Sequence, residues 1–143
     1  KDLDEELIVR SCQIHAVMPM MQFSGAPWQI LSPENLEICR KFAKLHERMG
    51  SYILEYAHRS SITNEPIVRS MEYQYSNRGF EEYGDQFMPG DKYLVAPMVE
   101  KGYTLEVRLP KGKWRDDEGN VFKGPKIIQV DVPITRMPYY ELE

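Results

Sequence analysis

The run Met18-Pro19-Met20-Met21-Gln22-Phe23-Ser24-Gly25-Ala26-Pro27-Trp28 brings a primary amide, a hydroxyl and an indole together just past a short apolar stretch. The Gln22 amide both donates and accepts hydrogen bonds, and the Ser24 hydroxyl does the same on a shorter arm. Trp28 offers a broad apolar face with one N–H donor at its edge. Such a trio suits the binding of a polar ligand, but it supplies neither a nucleophile nor a proton-transfer pair. A structural reading stands beside each assignment. Gln22 can bond neighbouring backbone, Ser24 can form a turn, and Trp28 can plug a loop against a helix. Phe23 is expected to pack, because neighbouring strand residues alternate faces.

The other chemistry-bearing side chains assemble into nothing catalytic. Asp2, Asp4, Glu5 and Glu6 stand where a helix dipole favours negative charge. Asp116, Asp117 and Glu118 read as a solvated turn, since charge clusters usually face water. His15, His46 and His58 lack zinc-ligand spacing, and His15 reads as a core histidine on an apolar stripe. No Ser-His-Asp set or glycine-rich phosphate loop emerges. Neither a catalytic residue, a metal nor a cofactor is therefore expected. Cys12 and Cys39 read as buried thiols.

Those side chains need elements to hold them. Residues 4–18 carry Leu7, Ile8, Cys12, His15 and Met18 at three- and four-residue spacing, the pattern of an amphipathic helix that Pro19 ends. Residues 18–23 then fit a short buried strand, with Met18, Met20 and Met21 filling the interior. Ser32-Pro33 is a helix start, a hydroxyl N-cap with proline at the first helical position. Leu36, Cys39, Phe42, Leu45, Met49, Ile53 and Tyr56 carry that helix towards residues 58–61. Residues 66–71 read as a second buried strand. Strand, long helix and strand form the unit of a parallel sheet, and an α/β barrel sets ligand-contacting residues at its strand ends.

Beyond residue 85 the texture becomes all-β. Residues 93–96, 104–109 and 127–132 are strand-like. Turn signals fall at Glu100-Lys101-Gly102, Pro110-Lys111-Gly112, Asp116 to Asn120 and Lys123-Gly124-Pro125. This spacing predicts an antiparallel sandwich or barrel. Residues 1–84 and 85–143 are thus expected to belong to different domains. Because two barrel strands cannot close a sheet, exposed edges invite self-association.

Composition narrows the partners. The formal charge of −4 comes without a basic stripe, so no nucleic-acid partner is expected. No apolar run approaches the roughly 18 residues of a bilayer span, so no membrane partner is expected either. The compartment is left open.

The ordered set of motifs resembles the C-terminal third of glycoside hydrolase family 31. Leu7-Ile8-Val9-Arg10 with Gln13 resembles the helix before barrel strand seven, and Met18-Pro19-Met20-Met21 that strand. Glu65-Pro66-Ile67-Val68-Arg69 resembles strand eight. Asp85-Gln86-Phe87-Met88-Pro89-Gly90-Asp91 and Leu94-Val95-Ala96-Pro97 resemble the entry into the proximal β-sandwich. Leu109-Pro110-Lys111-Gly112-Lys113-Trp114 is similar to a short Pro-x-Gly-x-Trp turn of the family.

The resemblance implies the end of a (β/α)8 barrel followed by a β-sandwich, and a retaining hydrolase acting on terminal α-linked hexose. Such a reaction uses two carboxyl groups roughly 5–5.5 Å apart, which the resemblance sets on strands preceding this segment. It implies an oligosaccharide or glycoside substrate contacted by Gln22, Ser24 and Trp28. Gln22 and Ser24 stand where typical α-glucosidases of the family carry arginine and histidine. The Gln-Phe-Ser-x-Ala-Pro-Trp form resembles a branch associated with α-galactoside cleavage. The competing expectation is a non-catalytic carbohydrate-binding or structural β-module.

Overall fold

The computed structural model describes residues 3–143. Asp2, read above as a helix-start charge, lies outside the described residues. The chain divides into two compact units, the first ending at Glu65 and the second spanning Pro66–Glu143.

The first unit is helical. Helix α1 (Glu5–His15) starts at Asp4, whose carboxylate accepts from the Leu7 amide at 3.2 Å. Helix α2 is the single turn Pro27–Ile30. Helix α3 (Pro33–Thr63) begins as its sequence predicts, with the Ser32 hydroxyl accepting from the Asn35 amide. It runs two residues beyond the expected end and stops at Asn64, which takes the left-handed conformation (φ 61°) common at helix C-termini. No helix among the described residues is long and apolar enough to cross a membrane.

Helix α1 is joined to α3 at three points. Glu5 Oε2 accepts from the Ser32 amide (3.0 Å), the Ser32 hydroxyl (2.9 Å) and the Asn35 side-chain amide (2.6 Å). The Cys12 thiol donates to the Cys39 carbonyl at 3.8 Å. His46 Nδ1 donates to the Ala16 carbonyl at 3.0 Å. Glu5, Cys12 and Ala16 share one helical face, so these contacts set the rotation of α1. Its buried residues are Val9, Arg10, Cys12 and Gln13. The expected stripe is buried only in part: Cys12 is buried and Ile8 and Met18 are half-buried, but Leu7 is 64% exposed, and His15 is exposed rather than a core residue. Both cysteines are buried free thiols, as expected.

Residues 18–23 form no strand, contrary to expectation. A strand needs a partner for its backbone groups, and among the described residues nothing pairs with this segment. Met20 is 77% exposed instead of filling an interior.

The second unit is a six-stranded antiparallel sheet. Its strands are β1 (Val68–Ser70), β2 (Phe87–Pro89), β3 (Tyr93–Val95), β4 (Thr104–Asp116), β5 (Val121–Asp131) and β6 (Tyr139–Leu142), in the order β1-β2-β3-β6-β4-β5. The expected sandwich takes the form of one continuous hydrogen-bonded sheet. Strand β1 pairs antiparallel with β2 (Val68 with Pro89, Ser70 with Phe87), so the parallel strand–helix–strand unit is not formed among the described residues. A one-turn helix α4 (Met71–Gln74) follows β1, capped by Ser70. The core gathers Met71, Phe80, Met88, Leu94, Trp114 and Tyr140.

Two expected turns are absent. Strand β4 passes through Pro110-Lys111-Gly112 and β5 through Lys123-Gly124-Pro125. The two signals lie opposite each other and resolve into a bulge: pairing goes from Leu109–Lys126 to Gly112–Gly124. A Cβ at residue 124 would lie 1.8 Å from the Pro110 carbonyl oxygen, and Gly112 sits at φ +134°. The glycines permit close strand approach here rather than chain reversal.

Candidate functional site

The loop after α1 presents its polar groups outward. Gln22 and Ser24 are exposed, and Trp28, on the first turn of α2, is 71% exposed. Phe23 is 40% exposed, more open than the packing role expected of it. None of Gln22, Ser24 and Trp28 makes a side-chain hydrogen bond among the described residues.

Two neighbouring cavities flank this loop. One, of about 320 Å³, is walled by α1 through Ser11 and His15 and by the loop through Gln22, Phe23 and Ser24. The other, of about 540 Å³, lies between the loop and α3 and is lined by Phe23, Trp28, Leu36, Cys39 and Arg40. Gln22 and Ser24 thus share a cavity, Trp28 lines the second, and Phe23 stands in the wall of both. Pro27 and Pro33 at the starts of α2 and α3 brace the segment, since each fixes a helical φ at a first-turn position. His15 enters the site from α1, a residue that the apolar stripe had assigned to the core.

The electrostatics of this unit are structural. Hydrogen bonds from Asn35 and Ser32 hold the Glu5 carboxyl below its ordinary value. Burial pushes the Cys12 thiol up, which keeps it protonated and chemically inert. Neither group is arranged as a catalyst.

The acidic turn of the second unit differs from its solvated reading. Asp116 is buried: its carboxylate accepts from the Glu118 and Asn120 amides at 3.0 and 2.7 Å and pairs with Arg136 at 3.3 Å. Asp117 meets the same guanidinium at 2.9 Å. Hydrogen bonding to the Asp117 carboxylate raises the Arg136 pKa, keeping it charged. Only Glu118 faces water. The cluster closes the β4–β5 connection, with three carboxylates sharing the one Arg136 guanidinium.

The fold is that of a glycosidase family. Residues 64–141 match the Glycosyl hydrolase family 31 C-terminal domain. The myogenesis-regulating glycosidase of Mus musculus is 37% identical over 134 residues, covering 92% of this chain and 19% of that protein. The 1,3-alpha-isomaltosidase of Kribbella flavida is 28% identical, covering 96% of this chain and 21% of its own. Among solved structures, the GH31 dextranase of Flavobacterium johnsoniae complexed with isomaltotriose superposes with a TM-score of 0.86 at 32% identity, over 99% of this chain and 18% of that one. The cycloalternan-degrading enzyme of Trueperella pyogenes shares the fold, with a TM-score of 0.89 at 23% identity, over 97% of this chain and 22% of its own. This chain belongs to glycosyl hydrolase family 31. It spans about a fifth of the length of the curated relatives it matches.

Proposed function

We propose that this chain is the C-terminal part of a retaining α-glycosidase that releases terminal α-linked hexose, α-galactoside in preference to α-glucoside. In the whole protein residues 1–84 complete a (β/α)8 barrel, to which residues 18–23 contribute a strand and β1, paired on one side with β2, offers its other edge. Residues 85–143 form the proximal β-sandwich. Gln22, Ser24 and Trp28 line the pocket for the sugar that is cleaved.

The observation that carries this reading is the state of the Gln22 and Ser24 side chains. Both line one cavity, and neither is engaged by the protein among the described residues. A free amide and hydroxyl on one wall match the alternating donors and acceptors of a sugar, and an exposed indole beside them matches its apolar face. The family supplies the reaction class, with two carboxyl groups acting as nucleophile and acid. The acids of this chain have other tasks: Asp4 caps α1, Glu5 ties α1 to α3, and Asp116 closes a turn. By resemblance to the family, the carboxylates of the reaction belong to barrel segments preceding this one.

The preference for galactosides rests on Gln22 and Ser24 where an arginine and a histidine are usual in α-glucosidases. In the full-length protein, kcat/KM on aryl α-galactoside should exceed that on aryl α-glucoside. The double substitution Gln22→Arg, Ser24→His should reverse or level that ratio. A full-length enzyme that prefers the glucoside, with a ratio unmoved by the double substitution, would sink the specificity assignment.

A further inference from the structure

A cavity of about 320 Å³ in the second unit has a chemistry that none of the roles above uses. Three cations line it, Arg78, Arg108 and Lys111, together with Tyr75, Pro110 and Pro125. No acidic residue is in its lining. Among the described residues none of the three cations pairs with a carboxylate. In a chain of net charge −4, that concentration of unneutralised positive charge on one apolar hollow is unusual.

Arg108 is held as a rigid donor. The buried Gln86 side chain brackets its backbone, accepting from the Arg108 amide at 2.8 Å and donating to its carbonyl at 2.9 Å. The guanidinium lies against the Phe80 and Tyr83 rings, 5.1 and 5.5 Å from their centroids, in the stacked geometry that suits arginine. Nη2 donates to the Arg78 carbonyl at 3.2 Å, which leaves most of a five-donor fork available. The turn carrying Arg78 closes on this group through two left-handed residues, Asn77 (φ 59°) and Gly79 (φ 82°). A Cβ at Gly79 would come within 2.9 Å of Arg108 Nη2. Of the acids nearby, Glu106 accepts from Tyr83 (2.9 Å) and Gln129 (3.2 Å), Glu72 accepts from the Asn77 amide (2.8 Å), and Asp91, whose charge acts on Tyr75, stands outside the lining.

We infer that this cavity is an accessory site for an acidic sugar, a pyranose carrying a carboxylate or sulfate. The cations meet the oxyanion by charge-assisted hydrogen bonds, with Arg108 as the fixed fork and Arg78 and Lys111 as mobile arms. Tyr75 and the two prolines face the ring. A bare inorganic anion would leave that apolar lining uncovered, whereas the volume, at the small end of the roughly 300–1,000 Å³ range of ligand pockets, fits a single ring. The site lies wholly within the second unit and does not depend on the assignment of Gln22, Ser24 and Trp28.

The test is an amide-resolved NMR titration of this chain with methyl glucuronide, a sulfated methyl glucoside, neutral methyl glucoside and inorganic sulfate. The two acidic sugars are expected to shift the amides of Gly79, Arg108 and Lys111 and to saturate with a Kd of about 1 mM, weakening as salt is raised. Arg78→Gln and Lys111→Gln should each weaken binding by roughly tenfold; both side chains are exposed, so the fold tolerates their loss. Lys123→Gln, a cation outside the lining, should leave binding unchanged. Neutral glucoside binding as tightly, inorganic sulfate binding as tightly, absence of saturation, or insensitivity to Arg78→Gln and Lys111→Gln would each overturn the inference.

Discussion

The indole Nε1 of Trp114 donates to the Pro110 carbonyl at 3.0 Å, within a side chain that has no exposed surface. The same carbonyl oxygen occupies the space a Cβ of residue 124 would need. One backbone group thus organises the bulge, the indole and the glycine opposite. The Pro-x-Gly-x-Trp pattern is a packing device in mid-strand, whose proline and glycine signals imitate a turn.

Trp114→Ala should therefore destabilise the second unit by about 3–5 kcal/mol, combining lost burial with the cavity left behind. Trp114→Phe keeps most of the apolar volume but leaves the Pro110 carbonyl without its donor, a cost of about 1–3 kcal/mol. Urea unfolding followed by circular dichroism should rank native above Trp114→Phe above Trp114→Ala. Equal stability of native protein and Trp114→Phe would show that the hydrogen bond contributes nothing.

Two glycines of the bulge should respond differently to the same substitution. At Gly112 an added methyl meets Leu142 Cδ1 at 2.7 Å, a side-chain end that can move, so Gly112→Ala chiefly suffers from its positive φ. At Gly124 the obstacle is backbone, which moves only if the two strands separate. Gly124→Ala is expected to cost more than about 3 kcal/mol, beyond the usual range for overpacking, and Gly112→Ala less. A smaller loss for Gly124→Ala in thermal melts would argue against the close strand approach.

Stability should decline on the alkaline side. Burial pushes the Cys12 thiol above its ordinary 9.0, and burial together with Glu141 raises Tyr93 from 10.0 to about 12. Each group keeps its proton in the folded chain at a pH where the unfolded chain has released it. Their stabilisation is fully present below the unfolded values and is lost as pH rises through the folded ones. For Tyr93 that window runs from 10 to about 12. Glu5 acts in the opposite sense: its lowered pKa contributes stability above 4.5 that falls away as acid is added. Urea midpoints measured from about pH 8 to about pH 11 should drop steadily, and Tyr93→Phe should flatten the upper part. A midpoint that rises over this interval would contradict the sign.

The long helix was legible because its information is local: Ser32 caps it, Pro33 starts it, and its apolar positions recur every three or four residues to Tyr56. The turn at Asp116 to Asn120 was legible for the same reason. What could not be read locally depended on partners distant in sequence. The rotation of α1 follows from the Glu5, Cys12 and Ala16 contacts with α3, which bury Cys12 of the expected stripe and leave Leu7 and His15 exposed. The bulge hid its nature because Pro110 and Pro125 each suggest a break until the strands are aligned. At the site, the polar types of Gln22 and Ser24 were visible in the sequence. Their sharing of a cavity with His15, and the separation of Trp28 into the adjoining one, were not. The cationic hollow around Arg108 was not legible, since Arg78 lies 30 residues from Arg108 and meets the Arg108 to Lys111 stretch of β4 only in the folded unit.

The central claim is that Gln22 binds the sugar that is cleaved. The most direct measurement is kcat/KM of the full-length protein on an aryl α-galactoside, with and without Gln22→Ala, alongside thermal midpoints. An exposed side chain with no protein partner can be removed without loss of fold, so the midpoint should hold. A hydrogen bond to the reacting sugar should reduce kcat/KM by about tenfold or more. An unchanged kcat/KM with an unchanged midpoint would contradict the account.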